Sequence, residues 1–322
     1  MQSSDAAEQA AVLARQRSRL GVIALTLTAL FGFAANSLLC RMALHGGAID
    51  AVSFTAVRLA SGAVALSLLL ALRGGYSAGG DWGSGLALFT YAAAFSLAYV
   101  TIPAGAGALL LFGSVQTTMI LRGLVLGETP RWHEWSGLAL ACAGLFALIW
   151  PGLTAPPLGG SLIMMLAGMA WGIYSLRGRN SRDAIANSAG NFLRALPFSL
   201  PLLLWASRHA GDAGTSSLHL SPIGVVEAAL SGAFASGLGY AVWYTVLPAL
   251  SAMRAAVVQL AVPVLVAALG VALLGERPGL RLIGCAVVTL GGVALATCYP
   301  LYVKLLELRR KHENKNMRRE IL

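Results

Sequence analysis

The stretch "LVLGETPRW", Leu124 to Trp132, returns almost unchanged as "ALLGERPGL", Ala272 to Leu280. The two glutamates, Glu128 and Glu276, are 148 positions apart in a chain of 322 residues. A Gly-Glu-x-Pro phrase written twice, half a chain apart, points to a duplicated unit. Other pairs keep the same order. "YVTIP" (Tyr99–Pro103) precedes the first phrase and "YTVLP" (Tyr244–Pro248) the second. "FGFAANS" (Phe31–Ser37) opens one half, and "WGIYS" (Trp171–Ser175) opens the other. Segments rich in Ala, Leu and Gly resemble one another by composition alone, but Pro, Glu, Tyr and Arg in matching order do not.

The units belong to a membrane protein. Hydrophobic residues make up 57% of the chain and charged residues 11%, with a mean hydropathy of +0.73. A soluble domain carries about 25% charged residues, so one soluble core of this length would lack polar surface. A bilayer core of about 30 Å needs about 20 apolar residues per helix. On that ruler the chain predicts an all-α polytopic protein of ten spans, roughly 20–44, 50–72, 84–101, 104–125, 133–150, 158–177, 187–206, 222–247, 251–274 and 279–302. Gly, Pro, Ser and Asp supply the breaks between them. The polar first twenty residues lack the short basic-then-apolar pattern of a cleaved signal.

Lys and Arg set the orientation. With the N-terminus inside, the inner side holds Arg15, Arg17, Arg19, Arg73, Arg122, Arg131, Arg177, Arg179, Arg182, Arg254 and seven basic residues of the tail, which makes 17. The outer side holds 4: Arg41, Arg208, Arg277 and Arg281. Both termini are therefore expected in the cytoplasm. Five spans per half is an odd number, so the second half enters upside down, as in the inverted repeats of secondary transporters. The expected organisation is a cytoplasmic segment 1–19, a first repeat 20–150, a second repeat 158–302 and a basic tail 303–322 lying on the anionic inner leaflet. The net charge of +10 is spread over loops and tail, which matches topology and not a nucleic-acid surface. The cysteines Cys40, Cys142, Cys285 and Cys298 lack metal-ligand or disulfide spacing and read as small packing residues.

Two five-helix halves, each with an aromatic-Gly start, a Y-x-x-x-P turn and an L-G-E-x-P end, resemble the drug/metabolite transporter superfamily. More narrowly they resemble its ten-helix EamA-type exporters, over residues 20–302. Within that group the chain is most similar to aromatic amino-acid exporters of the bacterial inner membrane. The resemblance implies a central cavity lined by helices 1, 3, 4, 6, 8 and 9, with rocking between inward-open and outward-open states.

Candidate lining residues follow from spacing. Helix three carries Tyr91, Phe95 and Tyr99 on one face, followed by Pro103; helix eight carries Ser236, Tyr240, Tyr244 and Pro248 likewise, with Trp243 beside them. Tyr and Trp offer a flat apolar body with one polar tip, which suits aromatic or amphiphilic solutes. Packing and an interfacial belt are the rival roles, the belt most of all for Tyr99 and Tyr244 near helix ends. Asn36 in helix one, Trp171 and Tyr174 in helix six, Gln116 in helix four and Gln259 in helix nine complete a neutral set able to hold a zwitterion. Each amide could instead make a helix–helix hydrogen bond. Arg58 and Arg194 lie about equally deep in spans two and seven, which favours a shared structural task such as bonding carbonyls at a helix end. Glu128 and Glu276 are expected to anchor helix ends by a cap-like bond to the next helix, or to gate.

No Asp, Glu or His falls at mid-span, so movement is expected to be facilitated and gradient-driven, or coupled through groups that the sequence does not identify. Neither H-E-x-x-H nor G-x-S-x-G occurs, which argues against an enzyme. No cofactor or metal is expected. The partners are a small-molecule solute and the lipid bilayer, and the chain is expected to be a monomer with a dimer left open. A channel, or a carrier of sugar phosphates, nucleobases or drug-like amphiphiles, stands as the alternative.

Overall fold

The computed structural model describes residues 2–45, 47–74, 79–102, 104–150, 157–208, 218–274, 280, 283–297 and 299. All long elements among them are helices. Helix α1 spans Gln2–His45, and its membrane-length apolar part is Leu20–Leu44, so the polar N-terminal segment continues the first span as helix. Helices α2 (Ala51–Leu72), α3 (Trp82–Thr101), α4 (Ala104–Val125) and α5 (Trp132–Ile149) follow. Then come α6 (Leu158–Gly178), α7 (Ala184–Arg208) and α8, a span over Pro222–Ala249. Helix α9 runs in two pieces, Ala252–Gln259 and Ala261–Leu274, and α10 covers Ile283–Thr297. Five of these helices, α1, α2, α3, α6 and α8, are long and apolar enough to cross a membrane, and α4, α9 and α10 contain shorter apolar stretches.

Local chemistry sets the boundaries. Asp50 accepts hydrogen bonds from the amides of Val52 and Ser53 and so starts α2. Asp81 starts α3 through Ser84, Asp183 starts α7 through Ile185 and Ala186, and Ser221 starts α8 through Gly224. The first Gly-Glu phrase ends α4. Gly127 has φ +82°, its N–H bonds Leu124 O at 2.9 Å, and the Glu128 N–H reaches Gly123 O at 2.9 Å. This is the closing geometry that glycine permits just past a helix end.

The Glu128 carboxylate then bonds the N–H of Ala252 at 2.9 Å and Arg179 Nη1 at 2.7 Å. It therefore caps α9, in the other half of the chain, instead of the next helix as expected from sequence. Glu276 and Pro103 lie outside the described residues.

Packing is a two-fold pattern between the halves. Helix α6 packs on α3 and α4, and its counterpart α1 packs on α8 and α9. Helix α2 packs on α7 and α8, and its counterpart α7 packs on α2 and α3. Helices α5 and α10 meet where a Cβ on Gly137 would lie 2.5 Å from Gly292 O. Small residues permit these approaches, as in other membrane bundles. A Cβ on Gly168 of α6 would stand 2.5 Å from Leu111 O of α4. Large apolar side chains such as Leu68, Leu162, Leu204 and Phe234 face outward, where lipid replaces water as the solvent.

Helix α8 departs from α geometry. Its turns widen to π-helix over Ser231–Leu238, return to α over Gly239–Val246 and tighten to a 3-10 turn at Leu247–Ala249, which holds Pro248. Residues five apart on an α-helix point about 140° away from each other. The wider π turn brings them nearly into line, and Ser231 and Ser236 accordingly face the same atom of α1, Oδ1 of Asn36.

Candidate functional site

The aromatic residues of α1, α3, α6 and α8 meet at the centre of the bundle. Trp171 has ring-centre distances of 4.8 Å to Tyr91, 4.6 Å to Tyr240 and 5.2 Å to Phe33. Phe33 also packs edge-on against Trp243 at 5.5 Å, and Tyr174 packs on Tyr244 at 4.8 Å. The phenol oxygens of Tyr240 and Tyr91 are 3.4 Å apart. Offset and edge-on pairs of this kind contribute about 0.5–1.5 kcal/mol each beyond burial. All seven rings named here are buried. The stripes expected to line an open cavity are thus closed on one another in this structure. Tyr244 is buried too, and its hydroxyl donates to Tyr174 O at 2.9 Å, which places it in the core and away from an interfacial belt. Tyr99 is partly buried and packs against Phe95 at 4.7 Å.

The amides serve the same centre. Trp171 Nε1 donates to Gln259 Oε1 at 2.6 Å, and Gln259 Nε2 donates to Ala255 O at 2.8 Å. Gln116 Nε2 donates to Ala256 O at 2.8 Å, joining α4 to α9. Asn36 Oδ1 accepts from Ser231 at 2.7 Å and from Ser236 at 3.2 Å.

The arginines of α2 and α7, Arg58 and Arg194, have different surroundings. Arg194 Nη1 donates to the carbonyls of Gly79 at 2.6 Å and Gly190 at 3.0 Å, tying the start of α3 to α7, the task expected of both. Arg58 bonds side chains instead. Its Nε donates to Ser236 Oγ at 2.9 Å and its Nη2 to Tyr240 OH at 2.6 Å. Its guanidinium carbon stands 5.3 Å from the Tyr91 ring centre and 5.9 Å from that of Phe95. Arg58 is 1% exposed, so it does not snorkel to an interface.

Sequence reasoning missed Phe33, Ser231 and Asn191. By the repeat, the partner of Trp171 is Phe31, but Phe31 is 50% exposed and Phe33 enters the cluster in its place. The available signal was spacing, since Phe33 stands three residues before Asn36 on the same helix face. Asn191 of α7 approaches Tyr244 OH at 3.4 Å and accepts from the Asp81 amide at 3.2 Å.

At one end of the bundle a cavity of about 800 Å³ opens between the start of α3 and the ends of α4, α6 and α8. Asp81, Arg122, Glu128, Arg177 and Arg179 give it a charged rim. At the opposite end the turns α1–α2 and α7–α8 are joined by an antiparallel bridge, Ile49 to Leu220, and the His219 amide donates to Asp50 Oδ2 at 2.9 Å. Among the described residues, no three His, Cys, Asp or Glu side chains gather as a metal site.

On the cavity rim, Arg177 Nη2 meets Asp81 Oδ1 at 2.6 Å. Burial works against ionisation of Asp81, but hydrogen bonds from Ser84 and the Arg177 guanidinium outweigh it and hold the carboxyl below its ordinary value of 3.8. A depressed carboxylate contributes stability above its unfolded value and loses it as pH falls through the folded one. Asp81→Asn keeps the cap and removes the charge. It should cost at most about 1 kcal/mol at pH 7, because half-exposed pairs are screened. The difference in melting temperature from the parent should shrink as pH falls below 3.8 and vanish once Asp81 is protonated in the folded protein.

A family model, the EamA-like transporter family, matches twice, over residues 19–150 and 158–298, and so covers both halves of this site. The chain belongs to the EamA-like transporter family. This EamA-family chain is therefore a multi-pass membrane transporter, not an enzyme. It is 54% identical over 273 residues to an uncharacterised protein of Pseudomonas aeruginosa, PA1977, covering 84% of this chain and 92% of that one. It is 28% identical over 201 residues to a probable amino-acid metabolite efflux pump of Salmonella typhimurium, covering 59% of this chain and 66% of the pump. A crystal structure at 21% identity superposes with a TM-score of 0.68, covering 86% of this chain and 98% of that one, which shows the shared fold.

Proposed function

We propose that this EamA-family protein exports small neutral or zwitterionic metabolites, aromatic amino acids above all, across a bacterial inner membrane. The observation that carries this reading is the central cluster of Phe33, Tyr91, Trp171, Tyr174, Tyr240 and Trp243, built from both halves. Flat rings with polar tips match an aromatic solute when they part around it. The similarity to a Salmonella typhimurium protein called a probable amino-acid metabolite efflux pump supports the same class.

In this reading ten helices span the membrane with both termini inside. The charged cavity then faces the cytoplasm, since Arg122, Arg177 and Arg179 belong to the basic side. A solute enters there, displaces the ring contacts between α1/α6 and α3/α8, and leaves once the Asp50–His219 contact opens. Such exchange of one closed end for the other is alternating access. The ion pairs Arg177–Asp81, Arg179–Glu128 and Arg254–Glu134 all sit at helix ends, consistent with facilitated movement.

The test is transport into proteoliposomes of a panel: aromatic and aliphatic amino acids, purines, sugar phosphates and a cationic dye. Saturable uptake of aromatic amino acids is expected, unchanged by an imposed proton gradient. Movement of phosphorylated solutes alone would end this reading.

A further inference from the structure

We propose that Arg58 is the anchor for a solute carboxylate. The inference rests on the reading above that the solute passes through the ring cluster, and it adds the chemical group that is recognised there.

Arg58 is a buried cation whose bonding is incomplete. Ser236 and Tyr240 take its Nε and Nη2, while Nη1 has no hydrogen-bond partner and is shielded from solvent among the described residues. Arginine presents five N–H donors in a fixed fork, and a buried donor left unmade is costly. Arg194 provides a comparison inside the same molecule. Serving structure only, it uses its Nη1 on two carbonyls.

The charge of Arg58 is also unmatched among the described residues. Among the described residues the ion pairs are Arg177–Asp81, Arg179–Glu128 and Arg254–Glu134, all at the ends of the bundle. The phenol of Tyr240 and the faces of Tyr91 and Phe95 soften the cation without neutralising it. An uncompensated charge inside a membrane bundle faces a functional partner by default.

The surroundings hold the guanidinium ready. Asn36 Oδ1 accepts from Ser231 and Ser236, and Ser236 Oγ accepts from Arg58 Nε, so a relay of three helices fixes the fork. The π turns of α8 are what align the two serines. Trp171 and Tyr91 pack against each other beside this point, so a carboxylate on Nη1 leaves an attached aromatic ring among aromatic rings. One cation with hydroxyl neighbours fits a monocarboxylate; a phosphate dianion would need further cations.

The test is binding to the purified full-length protein in detergent, followed by tryptophan fluorescence, with three probes sharing one ring: phenylalanine, 3-phenylpropionate and 2-phenylethylamine. The parent should bind the two carboxylates at least about tenfold tighter than the amine, the lower end of what a charge-assisted hydrogen bond contributes. Arg58→Gln should erase that preference. Because the preference is a ratio of affinities in one sample, it is unaffected by the yield of folded protein. Arg58→Lys keeps a charge in the same span and covers the case in which the neutral variant fails to fold. It should weaken both carboxylates and leave the amine unchanged. An unchanged preference in Arg58→Gln, equal affinity for all three probes in the parent, or parental affinities in Arg58→Lys overturns the anchor. Arg58-dependent binding of 3-phenylpropionate without any binding of phenylalanine keeps the anchor and ends the amino-acid reading. Binding of phenylalanine with a preference that ignores Arg58 does the reverse. Binding of none of the three overturns both.

Discussion

Trp171→Ala should reduce transport by tenfold or more per folded molecule. Trp171 touches Phe33, Tyr91, Tyr174 and Tyr240, so it is the ring shared by the stripes of both halves. Its truncation leaves a void and removes the partner of Gln259 Oε1. Truncating a buried Trp costs about 3–5 kcal/mol of stability, so transport must be normalised to folded protein measured by size exclusion. Trp171→Phe separates packing from recognition. It keeps a ring and loses the N–H bond to Gln259, and it should retain a measurable part of the rate with an altered preference among aromatic solutes. Parental rate and solute profile in Trp171→Ala would show that the cluster is core packing and that the path lies elsewhere.

Gly232→Val should prevent the accumulation of folded protein. Gly232 lies in the π segment where α8 crosses α2, and an added Cβ would come within 2.8 Å of Arg58 C, with Arg58 O and Ser61 Oγ closer still. The obstacle is backbone, so no rotamer change relieves it. The helices must separate, which also withdraws Ser236 from Arg58. Overpacking a close contact costs about 1–3 kcal/mol and more where nothing can move. Gly113→Ala is the control. A Cβ there meets nothing within 4 Å, and replacing glycine within a helix gains about 0.5–1 kcal/mol. The expected result is loss of the monodisperse peak for Gly232→Val and a melting temperature at or above the parent's for Gly113→Ala.

Much of this architecture was readable because rare residues recur. Glu, Pro, Tyr and Arg stand out in an Ala/Leu/Gly background, so the repeat showed itself in them. The contacts then match as that repeat requires, α6 on α3 and α4 answering to α1 on α8 and α9. The aromatic stripes were visible for the same reason, since i, i+4 spacing fixes a face from local sequence. What stayed hidden depends on the other half of the chain. No local pattern tells that Glu128 caps Ala252, 124 residues away, or that Arg58 meets Ser236, 178 residues away. The widened turns of α8 have no composition signal, yet they decide which serines face Asn36. Arg58 and Arg194 look equivalent by position and differ only in their neighbours, Tyr240 and Ser236 for one and the carbonyls of Gly79 and Gly190 for the other.

The central claim is that solute passes between the two halves by exchange of their closed ends, through the ring cluster. Counterflow in proteoliposomes tests it directly. Vesicles loaded with unlabelled phenylalanine should accumulate labelled phenylalanine transiently, faster than empty vesicles and with saturation, and Trp171→Ala should abolish the overshoot. Flux that rises linearly with concentration and gains nothing from solute on the far side would contradict the account and indicate a pore.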